Sequence, residues 1–176
     1  AELREVRDKL LRMTGQVEEM IGHAVKAVVE GDLDLARATI QADGKVNGLE
    51  VETDELCLLL LAKRQPLASD LRMITLAMKM VTDLERIGDL AVNISERVIA
   101  MGNPAPPAVS AKLELMSAVA SAMIRDAIDA FVARDTHKAR SVFGRDQQVD
   151  DTYRELTLEL QTTMTKASDF VDRGIH

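Results

Sequence analysis

The chain has 176 residues, a formal net charge of −7 and one cysteine, with 47% apolar but only 2% aromatic residues. That length suits one ordinary domain or two small ones. Bases are mixed evenly among the acids, which excludes a basic nucleic-acid-binding face, and a lone cysteine excludes both a disulfide framework and a thiolate zinc site. The core has to be aliphatic, and four prolines and nine glycines leave few breaks, which favours long helices over many short strands.

Leu3, Val6, Leu10, Met13, Val17, Met20, Ala24 and Ala27 recur at alternating spacings of three and four. This seam predicts a first helix over 3–30. Gly31-Asp32 ends it, with Asp32 placed to cap the next helix. The second helix is expected to run through Leu35, Ala38, Ala42, Val46, Leu49, Thr53, Leu56 and Leu60. It also carries Gly44 and Gly48, whose spacing predicts close approach of a neighbouring helix. Cys57 lies in the apolar run Leu56–Ala62 and is expected to be buried. That run is far too short to span a bilayer, and no basic stretch followed by an apolar one opens the chain, so the expected compartment is the cytoplasm.

Arg64-Gln65-Pro66 breaks the second helix. The third helix is expected to start between Pro66 and Asp70 and to reach Met101, with an apolar stripe from Leu71, Ile74, Met78 and Val81 to Leu84, Ile87, Ala91, Ile94 and Val98. Gly102-Asn103-Pro104-Ala105-Pro106-Pro107 is the clearest linker. A fourth helix over 109–133 and a fifth over 135–167 follow, joined by Arg134-Asp135.

That tight junction resembles Gly31-Asp32 and points to an internal repeat. The shift that takes Ile21 to Ile124 also takes Ala24 to Ala127, Asp32 to Asp135, Ala36 to Ala139, Arg37 to Arg140, Asp43 to Asp146 and Val46 to Val149. The predicted fold is therefore all-α: tandem three-helix bundles, with a first bundle over 1–102, a linker over 103–108, and a second bundle over 109–176 that has two helices only. A hairpin with an apolar face cannot bury that face alone, so a homodimer, helix-swapped or not, is expected.

The third helix holds the most informative segment, Asp83-Leu84-Glu85-Arg86-Ile87-Gly88-Asp89. At about 100° per residue, Glu85, Asp89 and Glu96 fall within about 40° of each other, with Asn93 beside them, about 140–150° from the centre of the Leu84–Val98 stripe. Carboxylates one turn apart repel unless something neutralises them. Two readings stand: a solvated acidic face with Arg86 and Arg97 as counter-charges, or a site for a cation that prefers oxygen ligands. Asp83 points elsewhere. A di-iron core is not supported, since no Glu-x-x-His occurs and His23, His137 and His176 are scattered. No phosphate loop, nucleophile elbow or His-Glu-x-x-His is present, so no catalytic residue and no organic cofactor is expected and the chain does not read as an enzyme.

The words Asp43-Gly44-Lys45-Val46-Asn47-Gly48-Leu49-Glu50, Gln65-Pro66-Leu67-Ala68-Ser69-Asp70-Leu71-Arg72 and Asp83-Leu84-Glu85-Arg86-Ile87-Gly88-Asp89, with Asn93-Ile94 after them and Asp146 to Asp150 in the second copy, resemble the PhoU family of phosphate-uptake regulators in order and spacing. The resemblance implies two tandem three-helix bundles, each with a Glu/Asp-x-x-x-Asp motif on its third helix. The first motif falls on Glu85 and Asp89; the second would lie past His176. It further implies surface-bound iron or zinc at Glu85 and Asp89, and negative regulation of high-affinity phosphate uptake and of phosphate-responsive two-component signalling. The partners it implies are the ATPase subunit of the phosphate ABC transporter and a membrane-bound sensor histidine kinase, so that the protein would be peripheral to the membrane through them. The alternative is a helical protein whose main role is to bind metal.

Overall fold

The computed structural model describes residues 2–166. Five helices follow in order: α1 Glu2–Glu30, α2 Leu33–Arg64, α3 Ala68–Met101, α4 Pro107–Ala133 and α5 Thr136–Lys166. No strand is present among the described residues. α1 is the spine. It packs against α2, α3 and α4, while α5 packs on α4. Its predicted seam is the buried one: Val6, Leu10, Met13, Val17, Met20, Ala24 and Ala27. Only Leu3, near the end, is partly exposed.

Around that seam α2 contributes Val46, Cys57 and Leu60, and α3 contributes Ile74, Ala77, Val81, Leu84 and Ala91. α4 adds Ile124, Ile128, Phe131 and Val132 to the same core. Buried hydroxyls are satisfied locally. Thr14, Thr39, Thr53 and Ser95 each donate to the carbonyl one turn back on their own helix, at Leu10, Leu35, Leu49 and Ala91, as buried polar groups must.

The turns confirm the repeat in detail. Asp32 accepts from the Leu35 backbone N–H at 2.9 Å, and Asp135 accepts from that of Lys138 at the same distance. The backbone N–H of Asp32 donates to Ala27 and that of Asp135 to Ala130. The carbonyls of Asp32 and Asp135 then start the next helices at Ala36 and Ala139. The residue before each aspartate is left-handed, Gly31 at φ +67° and Arg134 at φ +57°. Gly31 has a second constraint. A Cβ there would sit 2.8 Å from the Pro104 backbone nitrogen, because the linker docks on this turn and the Ala105 N–H donates to the Val28 carbonyl.

Several expectations are corrected. α4 begins at Pro107 rather than at 109, since proline at the first helical position loses no hydrogen bond. Gly44 and Gly48 are exposed and meet nothing within 4 Å; the close approach occurs at Gly88 of α3, which is buried and would place a Cβ 3.5 Å from Val46. The buried face of α3 runs through Met73, Ala77, Val81, Leu84, Gly88, Ala91, Ser95 and Val98. Leu71 and Ile94, assigned to the stripe from the sequence, are exposed.

Candidate metal centre

The shift of the α3 face changes where its carboxylates point. Measured from the centre of the buried residues, Glu85 lies about 85° away and Asp89 about 125°. Both therefore stand on the flank that faces α2, rather than opposite the core. Glu85 is partly buried and Asp89 exposed.

Across from them, α2 presents Asp43, Asn47, Glu50 and Asp54, a stripe with steps of four, three and four residues. Gly88 brings the two helices together, and its missing Cβ would lie 3.8 Å from Asp43 Oδ1. The groove thus holds five carboxyl groups and one amide. None of the five carboxylates enters an ion pair among the described residues.

The electrostatics record the crowding. Burial pushes the Glu50 carboxyl above its ordinary value, and the charges of Asp54 and Asp89 add to it. Burial likewise raises Glu85, helped by the charges of Asp89, Glu50 and Asp43 and by a hydrogen bond with Asp89. Burial raises Asp54. Polar satisfaction is incomplete. Asn47 Nδ2 donates to Asp43 Oδ2 at 2.8 Å, but Asp43 Oδ1, Asn47 Oδ1 and Asp54 Oδ1 are buried with no hydrogen-bond partner. Leaving such acceptors unmade costs roughly 1–3 kcal/mol each. A cation ligated by these oxygens would remove both the repulsion and the orphaned acceptors, so the donor set fits a hard or borderline metal. The side chains are not gathered as a preformed single-ion cage: among the described residues no three Asp, Glu, His or Cys groups converge at ligand spacing.

The sequence singles out Glu85 and Asp89 but not the α2 side chains that face them. The steps of four and three across Asp43, Asn47, Glu50 and Asp54 were the available signal. Glu96 and Asn93 are exposed, and Glu96 is not among the charges that press on Glu50 or Glu85.

The family model for the PhoU domain matches residues 10–98 and again residues 113–174. The chain belongs to the PhoU family. Its relatives include the phosphate-specific transport system accessory protein PhoU homolog of Aquifex aeolicus, 34% identical over 99% of this chain and 79% of that one. The homolog of Pseudomonas putida is 40% identical over 98% of this chain and 68% of that protein. The PhoU accessory protein of Escherichia coli is 35% identical over 96% and 70%. Among solved structures, PhoU from Pseudomonas aeruginosa superposes with a TM-score of 0.92 at 37% identity, covering 99% of this chain and 84% of that one. The PhoU regulatory protein from Streptococcus pneumoniae gives 0.83 at 29% identity, over 94% and 78%. The two PhoU-domain matches correspond to the two halves of the repeat, and the all-α fold read from the sequence is the PhoU fold.

Proposed function

We infer that this PhoU-family chain is a non-enzymatic accessory regulator of phosphate-specific transport. It represses high-affinity phosphate uptake and phosphate-responsive two-component signalling from the cytoplasm. The observation that carries the reading is similarity to accessory proteins of that transport system along nearly the whole chain. Two further features support it. No described helix is long and apolar enough to cross a membrane, and α2 and α3 form long struts, about 50 Å at 1.5 Å per residue, suited to bridging two partners.

In this reading the partners are the ATPase subunit of the phosphate ABC transporter and the sensor histidine kinase. A homodimer, by simple contact or by helix exchange, would cover the large apolar side chains Phe143 and Leu158 that α5 exposes. The α2–α3 groove holds iron or zinc through Glu85 and Asp89, with Asp43, Asn47, Glu50 and Asp54 completing the donor set. The metal would neutralise the groove and cross-link the two helices.

The test is complementation of a bacterium whose own accessory protein has been deleted. This chain should restore repression of a phosphate-starvation reporter in phosphate-rich medium. Full derepression with normal protein levels rejects the regulatory role.

The orphaned oxygens of Asp43, Asn47 and Asp54 favour a second reading, a protein whose main task is to hold metal. Glu85→Ala combined with Asp89→Ala separates the two. Lost metal with intact repression makes the metal incidental to regulation, and joint loss makes it part of the mechanism.

A further inference from the structure

Near the start of α3 lies a cluster of opposite sign, supplied by α1 and the α4–α5 turn. Arg7 of α1 has Leu3, Arg4, Leu10 and Leu11 as its neighbours one turn away, so no carboxylate answers it at helical spacing. None reaches it through the fold either: among the described residues its only side-chain partner is the Met73 sulfur, 3.5 Å from Arg7 Nη2. Arg7 Nε is buried with no partner. Arg134, in the α4–α5 turn, points at the same atom. Its Nη2 lies 3.9 Å from Met73 Sδ, and its ion-pair partner, Asp70 Oδ1, is as far away at 3.9 Å.

Two guanidiniums thus converge on one neutral thioether, itself a weak acceptor, and the single carboxylate at hand, Asp70, is loosely paired with Arg134. One positive charge stays uncompensated in a protein whose net charge is −7. The guanidinium fork is best satisfied by a multidentate oxyanion. We propose that Arg7 and Arg134 form a clamp for a phosphate-type oxyanion, inorganic phosphate or a phosphomonoester, held over Met73 where α1, α3 and the α4–α5 turn meet.

The geometry suits such a ligand. Charge-assisted bonds of about 2.8 Å to different oxygens of one tetrahedral anion can bridge two donors that flank a single atom. Met73 is buried and forms the floor. The Arg134 and Asp70 side chains are each about half exposed, at 56% and 49%, so the anion enters from solvent and Asp70 swings out to water. Binding ties the turn of the second repeat to α1 and α3 of the first. This assignment does not depend on the regulatory role proposed above.

The experiment is a calorimetric titration of the full chain at low ionic strength with inorganic phosphate and, separately, with phenyl phosphate. Saturable binding should weaken at least tenfold in Arg134→Gln and in Arg7→Gln, with helicity checked by circular dichroism. Met73→Leu, which removes the sulfur but no charge, should keep it, as should Arg12→Gln, an exposed control on α1. Binding of inorganic phosphate assigns the free ion. Binding of phenyl phosphate alone assigns a phosphomonoester carried by another molecule. Absence of saturable binding for both probes overturns the clamp, as does binding that survives Arg134→Gln undiminished or falls equally in Arg12→Gln. The Arg134 side chain is about half exposed and sits in a turn, so its variant reports even if Arg7→Gln does not fold.

Discussion

Replacing Glu50 and Glu85 together by Gln should stabilise the metal-free protein while removing its response to metal. Both carboxyls are raised by burial and by their acidic neighbours, so each is ionised at neutral pH against a penalty. Glutamine keeps the shape and removes two charges from a groove that also holds Asp43, Asp54 and Asp89. Relief of each like-charge contact on a helix surface is worth a few tenths of a kcal/mol, so the double variant should gain roughly 0.5–1 kcal/mol. At about 2–4 °C per kcal/mol for a domain of this size, that is a Tm rise of about 1–4 °C without metal. The wild type should show the opposite balance. A cation at a hundred times its Kd adds about 2.7 kcal/mol, or roughly 5–11 °C, and the double variant should lose most of it. Differential scanning calorimetry on chelator-treated protein, with and without zinc or ferrous iron, reads both effects. A variant that is less stable without metal, or that keeps the full metal-induced shift, would refute the assignment of the groove.

Acidification should act in the same direction as those substitutions. Folded-state values of Glu50, Asp54 and Glu85 lie above the unfolded ones, so their penalty is fully present above the raised values and fades as pH falls toward the ordinary carboxylate range; metal-free Tm measured against pH should rise over that window, while metal affinity falls as protons compete. Gly31→Ala should cost at least the roughly 1–2 kcal/mol of a left-handed non-glycine residue, and more because Pro104 blocks the Cβ; urea denaturation measures it. Asp32→Ala and Asp135→Ala should each cost about 1 kcal/mol through loss of the cap, read in the same assay. Cys57, buried and with its thiol pushed up to about 11 by burial and by the Asp54 charge, should react with a thiol reagent only at the rate of opening, so fast labelling of the native protein would show that α2 is not packed as described. Glu18→Gln should loosen α4 from α1, because Arg125 grips both oxygens of this carboxylate, and hydrogen exchange in α4 should speed up while that in α2 does not.

How much of this was legible in the sequence depended on which chemistry marks a face. α1 was readable along its length because its inward positions are nearly all aliphatic and strictly spaced. α3 was misread by part of a turn because two of its inward residues, Gly88 and Ser95, carry no apolar side chain, while Ile94 and Leu71 do and lie outside. The error then propagated: a shifted core direction turned Glu85, which is partly buried, away from α2 and hid the facing side chains on that helix. Gly44 and Gly48 misled for a related reason, since a small residue is compatible with close packing but also with an open surface. The turn aspartates were legible because a cap is a local device, fixed by residues three apart. The Arg7–Arg134 meeting was not, because it joins side chains far apart in sequence through the placement of three helices.

The buried hydroxyls have a mechanical consequence. Each of those at Thr14, Thr39, Thr53 and Ser95 begins and ends its hydrogen bond on one helix, so these groups lend the core no directional bond from helix to helix. Interior contact between α1, α2 and α3 is then close packing of interlocking aliphatic side chains, which resists small axial offsets by shape rather than by directional bonds. Capped turns, the docked linker and surface ion pairs such as Lys9–Glu52 and Arg125–Glu18 add to it. A helix in such a bundle moves as a rigid rod between discrete packed positions, so a displacement at one end is passed to the other as a step and not as a gradual creep.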